Sequence, residues 1–334
     1  MASNIFFSLN SLKPQCNNQG GVLTDATGKE VPGFVDISFS QLKLKPKGFQ
    51  EPIWHPSGNK IGYCQQGTAL VSIRTPMNVE TFPIEEGDVF FVPEGYIHSI
   101  QNLDSKDNII DFAFNSTNPQ TMVLSKAINS LSDNVFNATF NSNSDFLAGL
   151  KKSKDQSLLK ALPAMKNKSK PGPSKYKFNV SKSPKTIETR GGYLQNATKA
   201  NLPILDGLGI LKFGLNPKGD VEPHWHTNAG ELVYIVRGRT KITVLNPQGN
   251  KEVLEVGAGE GAFAAASHFH NIENIGNDEV EVIAYFSNAL PDYIGIGEVI
   301  GSYQIDMLAS TFNVPESYFD ALKRPQEPLV IVPV

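Results

Sequence analysis

The feature that most constrains the fold is an internal repeat. The line "EPHWH" at residues 222–226 repeats "EPIWH" at 51–55, so the two copies lie 171 positions apart. Past a shift of one residue, to an offset of 172, His270 matches His98. Since twice this offset is close to the full length of 334 residues, the chain is one module written twice. Any fold must therefore consist of two similar domains.

The join between the copies is visible in the composition. Residues 150–175 are first rich in Lys and then in Pro, Gly and Ser, which is typical of a short helix followed by a linker. The sequence therefore predicts a first domain at residues 1–150, a helical and Pro/Gly/Ser-rich linker at 151–175, and a second domain at 176–334.

Within each copy the pattern favours strands. Short β-branched, aromatic or alternating runs recur, and turn residues separate them. The runs are "TALVSIRT" (68–75), "DVFFVP" (88–93), "IIDFAF" (109–114), "RTKITVLN" (239–246), "GAFAAA" (261–266) and "VEVIAYF" (280–286). Each copy ends in a predicted helix, as in "PESYFDAL" (315–322). The predicted fold class is all-β with short terminal helices, a β-sandwich or barrel repeated twice.

Composition and charge narrow the range of partners. The formal net charge is −3 and the Lys and Arg residues are scattered, so we expect neither nucleic acid nor a membrane as partner. No apolar run approaches the ~18–20 residues of a membrane span, and the start "MASNIFFSLN" lacks the features of a signal peptide. The two cysteines, Cys16 and Cys64, give no disulfide framework. We therefore expect a cytoplasmic protein, although the mature form of a secreted protein is also compatible with the sequence.

The second copy carries a set of metal-ligating residues. His224 and His226 are two residues apart in a predicted strand, so their rings leave the same face. Glu231 follows across a turn, and His270 lies in a later strand of the same copy. Three imidazoles and one carboxylate suit a divalent first-row transition metal. On an octahedral ion these ligands leave open positions, which is typical of a catalytic centre.

The same residues carry a family resemblance. The segment "PHWHTNAGELVYIVRG" (223–238) resembles the first cupin motif, and "GEGAFAAASHFHNIEN" (259–274) resembles the second. The duplicated layout is similar to the bicupins of the oxalate decarboxylase and germin-like group. The resemblance implies two double-stranded β-helix barrels, jelly-roll-like, in tandem. It also implies that His224, His226, Glu231 and His270 bind a divalent metal, with Mn expected first and Fe, Ni, Co, Cu or Zn as alternatives, and that the chain forms a homo-oligomer, either a trimer or a hexamer.

The first copy departs from this pattern at the ligand positions. Ile53 stands where the first His belongs and Lys60 where the Glu belongs, so only His55 and His98 remain. Replacing a carboxylate by an ammonium reverses the sign of the local charge, which opposes a bound cation. We therefore expect the first copy to bind no metal, and the whole chain to bind one divalent metal. Lys60 either holds an anion together with the two histidines or, as the simpler expectation, forms an ion pair within the protein.

In the turn before the last histidine, the second copy is the one that departs from the family pattern. The first copy has Pro93 and Gly95 there, whereas the second copy has Ala265 and Ser267. The expectation is that the first copy retains the shape of the turn and the second retains the chemistry.

Two further departures concern the reaction. The resemblance implies an Arg three residues before the first metal-binding His, but Val221 stands there. It also implies a lid glutamate, but the equivalent segment "FSNALPDY" (286–293) contains none. His268 and Asp292 are the alternative candidates for a proton donor. We expect weak oxalate turnover unless another arginine reaches the pocket, the candidates being Arg190, Arg237 and Arg239.

Three functions are compatible with these observations. The first is a metal-dependent, oxalate decarboxylase-like enzyme acting on a small carboxylated or oxygenated substrate, such as an organic acid. The second is a cupin dioxygenase resembling quercetinases, for which "GLGILKFGL" (207–215) supplies small and apolar residues. The third is a non-catalytic bicupin that binds a ligand or a metal and resembles the storage globulins.

Overall fold

The runs that favour strands do form antiparallel strands, since β-branched and aromatic side chains pack well on a pleated surface. The computed structural model describes residues 3–141, 144–151, 157–163, 173–320, 322, 325 and 327–334. The chain divides into two compact units. The first unit comprises Leu12–Thr27 and Ser38–Asn179, and the second unit comprises Met1–Ser11, Gly28–Ile37 and Val180–Val334.

Strand β1 (Phe6–Ser8) belongs to the second unit, and the strands of the first unit follow it along the chain. They are β2 (Cys16–Asn17), β3 (Gly21–Ala26), β4 (Ser38–Leu44), β5 (Gly48–Trp54), β6 (Lys60–Gln66), β7 (Ala69–Arg74), β8 (Val79–Ile84), β9 (Asp88–Val92), β10 (Ile97–Asn102), β11 (Asn108–Phe114), β12 (Met122–Val123), β13 (Leu159–Ala161) and β14 (Lys177–Asn179). One sheet has the order β14-β9-β6-β11-β4-β3-β2, and the other has the order β12-β5-β10-β7-β8 with β13 also on β5. The helices are α1 (Leu124–Ser130), α2 (Asp133–Phe140) and α3 (Ser144–Lys151).

The second unit repeats this plan. Its further strands are β15 (Ile187–Thr189), β16 (Gly192–Ala197), β17 (Gly209–Leu215), β18 (Gly219–Trp225), β19 (Glu231–Arg237), β20 (Arg239–Leu245), β21 (Lys251–Gly257), β22 (Glu260–Ala264), β23 (Phe269–Asn274), β24 (Val280–Phe286), β25 (Ile294–Gly295) and β26 (Ile331–Pro333). One sheet has the order β1-β22-β19-β24-β17-β16-β15, and the other has the order β21-β20-β23-β18-β25 with β26 also on β18. The helices are α4 (Ile296–Ser302) and α5 (Ile305–Phe312).

The apolar side chains of alternating strand positions form the core of each unit. In the second unit, buried valine, isoleucine and phenylalanine side chains from both sheets pack together, including Val221, Val233, Ile272 and Phe286. The predicted fold class is confirmed: the chain is all-β with short helices, in two barrel-like units with the same strand order.

The repeat in the sequence is a repeat of strands. Strands β5 and β18 begin at residues 48 and 219, which is the offset of 171, and β9 and β22 begin at 88 and 260, which is the offset of 172. The additional residue lies in a hairpin, because four residues separate β7 from β8 and five separate β20 from β21. The sequence offset therefore identifies equivalent positions in the two units, including the positions of the site residues.

The strand that opens each copy completes the sheet built mainly from the other copy. Strand β1 pairs with β22, and β14 pairs with β9. Each of these pairings covers what would otherwise be an exposed strand edge. The units therefore interleave in the sequence, and residues 1–11 and 28–37 belong with the second unit rather than with the rest of the predicted domain at 1–150.

The predicted linker at 151–175 is described only in part, because residues 152–156 and 164–172 lie outside the described residues. The first residue of this segment, Lys151, is the last residue of helix α3. Strand β13 also lies in this segment and pairs with β5. A described part of this segment is thus a strand of the first unit.

Two equivalent asparagines fix the ends of equivalent strands. The amide of Asn102 donates to the carbonyls of Leu44, Lys45 and Lys106, and that of Asn274 donates to the carbonyls of Leu215, Asn216 and Asp278. Both side chains are buried. The fold therefore requires asparagine at both positions, because each side-chain amide satisfies buried backbone carbonyls.

The turn before β23 keeps the shape of its counterpart before β10. Gly95 and Ser267 have positive φ angles of 76° and 63°. Their backbone amides donate to equivalent carbonyls, those of His55 and His226, at 2.9 and 2.8 Å. The expectation that only the first copy retains this turn is therefore wrong, since Ser267 adopts the left-handed conformation that usually favours glycine.

The helices are short. The predicted helix at 315–322 is a single 3₁₀ turn at Glu316–Phe319, and residue 321 lies outside the described residues. Within the described residues, none of the helices combines the length and the apolar character that crossing a membrane requires.

Candidate metal centre

The second unit brings the four predicted ligands together. His224 on β18 lies opposite His270 on β23 in the strand register. His226 follows the last residue of β18, and Glu231 is the first residue of β19. All four side chains are buried, with exposed fractions of 2–3%. The ligands therefore come from both sheets of one barrel and from a turn between them.

The ligand atoms converge on one point. One carboxylate oxygen of Glu231 lies 2.8 Å from Nε2 of His270, 3.0 Å from Nε2 of His226 and 3.6 Å from Nε2 of His224. All four ligand atoms lie within 4.8 Å of one another. Neighbouring ligands that are each about 2.1 Å from an octahedral ion lie about 3 Å apart. The donor set therefore fits one divalent transition metal.

Backbone carbonyls orient the three imidazoles. Nδ1–H of His224 donates to the carbonyl of Glu222 at 2.7 Å, and that of His270 donates to the carbonyl of His268 at 2.8 Å. Nδ1–H of His226 donates to the carbonyl of Asp292. Since a carbonyl only accepts, each Nδ1 carries the proton and each Nε2 presents its lone pair to the centre.

Burial and the neighbouring groups adjust the ionisation of the ligands. Burial, together with the neighbouring imidazole of His270, lowers the pKa of His224 to about 4, so His224 is neutral at ordinary pH. Burial opposes the charged form of Glu231, but its close contacts with the three histidines outweigh burial and lower its pKa well below the usual range. The centre therefore presents a neutral His224 and an ionised carboxylate, the form in which these groups bind metal.

Tyr293 is a further residue of the centre, which the motifs did not predict. Its ring stacks on His224, with ring centroids 4.5 Å apart and an interplanar angle of 18°. Burial and the negative charges of Glu222 and Glu231 raise the pKa of its phenol. Tyr293 lies in a loop between β24 and β25 with no strand periodicity, so only its position directly after Asp292 pointed towards it.

Asp292 contacts the centre through its backbone, not through its carboxylate. Its carbonyl accepts from His226, whereas its carboxylate accepts from the amide of Thr227 at 2.6 Å and from the Thr227 hydroxyl. Burial raises the pKa of this carboxyl, but the Thr227 hydrogen bonds outweigh that effect and lower it. The carboxylate is therefore ionised and occupied, which makes it a poor proton donor.

His268 lies away from the ligand cluster. It precedes β23, and the turn at Ser267 interrupts the alternation that would have put its ring beside that of His270. Its side chain lines a different cavity, with Asn4, Ile5 and Val244, that none of the four ligands lines. His268 nevertheless supports the centre, because its carbonyl accepts from His270.

No described arginine supplies a positive charge to the centre. Val221 is 5% exposed and belongs to the apolar core. Arg237 pairs with Glu279, Arg239 pairs with Glu255, and Arg190 is exposed. The surroundings of the second centre are therefore apolar on the Val221 side, among the residues that the structure describes.

The first unit places the equivalent residues at the equivalent point. Ile53, His55, Lys60 and His98 are all buried, with exposed fractions of 1–5%. Nδ1–H of His55 donates to the carbonyl of Gln120 at 3.1 Å, and that of His98 donates to the carbonyl of Tyr96 at 3.2 Å. The two histidines thus keep the orientation of metal ligands although two of the four ligands are replaced.

Lys60 occupies the position of the metal-binding carboxylate. Its Nζ lies 3.3 Å from Nε2 of His98 and 3.8 Å from the centre of the Phe112 ring. In the part of the chain that the structure describes, no carboxylate lies within ion-pair distance of this ammonium, so the ion pair expected from the sequence is not formed. Among these described residues, the second unit holds the one group of three or more His, Cys, Asp or Glu side chains close enough to share an ion.

Comparisons with known proteins agree with this arrangement. A family model described as Cupin matches the chain twice, over residues 7–146 and 178–317. The chain is 23% identical over 342 residues to the oxalate decarboxylase OxdC of Bacillus subtilis, covering 98% of this chain and 87% of that protein. It is 32% identical over 115 residues to germin-like protein 5-1 of Oryza sativa subsp. japonica, covering 34% of this chain and 52% of that protein.

A solved structure of Bacillus subtilis oxalate decarboxylase, from work on the Mn(II) centres of that enzyme, has the same fold. The TM-score is 0.88 at 20% sequence identity, covering 100% of this chain and 90% of that chain. The likeness therefore extends over both units.

Proposed function

Because the chain belongs to the cupin family, we propose that it is a metal-dependent bicupin with one centre, in the second unit, that decarboxylates a small carboxylic acid. The observation that carries this proposal is the convergence of three imidazole nitrogens and one carboxylate oxygen within 4.8 Å of one another. The similarity to an oxalate decarboxylase over 98% of the chain supports the reaction class.

The ligands prepare the centre for a divalent ion, with Mn(II) as the first expectation because a structural relative has Mn(II) centres. Such an ion supplies Lewis-acid polarisation of a bound carboxylate. The carbonyls of Glu222, Asp292 and His268 hold the three imidazoles in one tautomer. Glu231 adds a negative charge that offsets part of the charge of the ion.

Tyr293 is the residue that we propose as the proton donor for the carbon that loses CO₂. Its ring lies against His224, and its pKa is raised by burial and by two carboxylates. The phenol therefore keeps its proton across the ordinary pH range. The other two candidates fit less well, because Asp292 is ionised and His268 lines another cavity.

Oxalate itself is a poor fit for this centre. A dianion needs positive charge beyond that of the ion, and Val221 replaces the usual arginine. Losing such a contact lowers a rate by ~30–1000-fold if the contact acts in the transition state. An acid with one carboxylate and a neutral oxo group, which can take up the electron pair released with CO₂, suits the centre better, because Val221 adds no positive charge.

The test is CO₂ release from a panel of oxalate and small oxo, hydroxy and aliphatic acids, with Mn-loaded protein. We expect at least one monocarboxylic acid to turn over in the range of ordinary enzymes, ~1–100 per second, and oxalate to be near background. Tyr293→Phe keeps the ring that stacks on His224 and should reduce turnover by ~10²–10⁴-fold without loss of metal.

The absence of CO₂ release from every acid in the panel would contradict the proposal. It would favour the non-catalytic alternative, in which the second unit only binds a metal or ligand. The observation that supports this alternative is that position 221 is a buried valine and not an arginine. Rapid turnover of oxalate would support decarboxylation but contradict the substrate argument. We do not propose the dioxygenase alternative, because the relatives described above give it no support.

A further inference from the structure

The first unit has a small cavity at the position of the missing metal centre. Its volume is about 50 Å³. The residues that line it include Asp25, Gln50, Ile53, His55, Lys60 and Phe112. A water occupies about 10–15 Å³ by this measure, so the cavity has room for about three to five water-sized groups. Because bonded atoms lie closer together than separate waters do, a ligand of about five or six non-hydrogen atoms would fill it.

Lys60 supplies a buried donor to this cavity. Its side chain is 2% exposed, and His98 is its one hydrogen-bond partner among the residues that the structure describes. An ammonium has three N–H groups and needs acceptors when it is removed from water. In the described part of the chain no carboxylate neutralises it by contact. The cavity therefore presents a positive charge that a small anion would satisfy.

His55 and Gln50 supply buried acceptors. Because Nδ1–H of His55 donates to the carbonyl of Gln120, its Nε2 carries a lone pair. Burial and the charge of Lys60 lower the pKa of this ring to about 3, so it is neutral. Nε2 of His55 and Oε1 of Gln50 are both buried without a hydrogen-bond partner among the described residues. Each of these atoms is satisfied only by a donor.

Asp25 limits the charge of the occupant. Its carboxylate lines the cavity and accepts from the hydroxyl of Ser40 at 2.6 Å. Burial lowers the pKa of Lys60 to about 7, and the negative charge of Asp25 acts in the opposite direction. Because Asp25 already supplies one negative charge to the cavity, an anion with a single charge is favoured over a dianion.

We propose that this cavity binds a small hydroxycarboxylate without metal, with its carboxylate on the Lys60 ammonium and its hydroxyl donating to Nε2 of His55. The ammonium takes the place of the ion of the second unit. The carboxylate accepts from the N–H groups of Lys60, and the hydroxyl donates to Nε2 of His55. The two or three carbons of the ligand pack against Ile53 and Phe112. The site is independent of the function proposed for the second unit.

The experiment is a calorimetric titration of the full-length, Mn-loaded protein with glycolate and lactate, which both carry one carboxylate and one hydroxyl. Three proteins are compared: the wild type, Lys60→Met and His226→Ala. We expect His226→Ala, which lacks a ligand of the second centre, to bind like the wild type at the first-unit site. Lys60→Met should bind at least ~10–100-fold more weakly, because a charge-assisted contact is lost.

The choice of ligand tests the hydroxyl. Acetate should bind roughly 10-fold more weakly than glycolate, since it leaves His55 Nε2 without a donor. Equal affinity for acetate and glycolate, or tighter binding of glycine than of glycolate, would overturn the assignment of a hydroxycarboxylate. Loss of binding in His226→Ala, or unchanged binding in Lys60→Met, would overturn the site itself.

A crystal structure of the wild-type chain with glycolate tests the proposal without any variant. Density for the ligand between Nζ of Lys60 and Nε2 of His55 is the expected result. Ordered waters alone at that position, in crystals grown at a glycolate concentration well above the measured Kd, would contradict the proposal.

Discussion

The two units place side chains of opposite charge on equivalent strands. At equivalent positions the second unit has His224 and Glu231, where the first has Ile53 and Lys60. Both units keep a second and a third histidine whose Nδ1–H groups donate to backbone carbonyls. The fold therefore sets the orientation of the histidines, whereas the charge of the site depends on the first residue of one strand, Glu231 or Lys60.

The ammonium of Lys60 is a simple substitute for a metal in charge but not in coordination. An ion accepts lone pairs from several ligands, whereas an ammonium donates only through its own N–H groups. Nε2 of His98 accepts from Lys60, and Nε2 of His55 does not. The first unit is therefore expected to bind acceptors rather than cations.

The largest expected effect is the difference in metal-dependent stability between two single variants, His226→Ala in the second unit and His55→Ala in the first. A metal at 1,000 times its Kd stabilises the folded state by about 4 kcal/mol. Because His226→Ala removes a ligand, this variant should lose nearly all of that stabilisation, whereas His55→Ala should keep it. The measurement is thermal unfolding with and without added Mn(II), in which the wild type and His55→Ala should shift upwards by about 10 °C. Two variants with the same response to metal would break the distinction between the units.

A smaller effect is expected for Lys60→Met. The pKa of Lys60 is lowered from 10.5 to about 7 by burial. The unfolded chain therefore holds the proton more tightly, and the wild type gains stability as the pH rises from 7 towards 10.5. Below pH 7 the buried charge is fully present, so Lys60→Met should be more stable than the wild type by about 1–4 kcal/mol.

Urea unfolding of both proteins between pH 6 and pH 9, without added carboxylate, measures this difference. We expect the difference in the free energy of unfolding to shrink as the pH rises. A difference that does not change with pH would mean that Lys60 is not an uncompensated buried ammonium.

The smallest effect is expected in the turn that the two units share. Ser267 has a φ of 63°, and Gly95 has a φ of 76°. A left-handed conformation costs a non-glycine residue about 1–2 kcal/mol, and the entropy of glycine in the unfolded chain offsets part of this. Ser267→Gly should therefore stabilise the chain by about 0.5–1 kcal/mol.

The reciprocal variant is the control. A Cβ at Gly95 would meet no heavy atom within 4 Å, so Gly95→Ser introduces backbone strain alone and should destabilise by a similar amount. If both variants shift the urea midpoint in the same direction, the turns are not equivalent.

The sequence predicted the repeat and the four ligands because both depend on local chemistry. Strand alternation places His224 and the ring of His226 on one side, and His and Glu are among the few residue types that bind a transition metal. The offset of 171 also identified Ile53 and Lys60 as the replaced ligands. These inferences needed no knowledge of how distant strands pair.

The residues that the sequence analysis misplaced depend on turns and on distant pairings. Ser267 interrupts the alternation, so the ring of His268 lies in another cavity. Tyr293 reaches His224 from a loop, where no periodicity gives the direction of a side chain. The pairing of β1 with β22 joins residues about 250 positions apart (Phe7 and Gly261), and the composition at 1–150 carries no signal of it.

The most direct test of the difference between the units is the amount of metal per chain. Elemental analysis of purified wild-type protein after loading with Mn(II) and removal of excess ion should give one ion per chain. The variant Ile53→His with Lys60→Glu restores the missing ligands to the first unit and should give two. A wild-type value of two, with an ion between His55 and His98, would contradict the assignment of metal chemistry to the second unit alone.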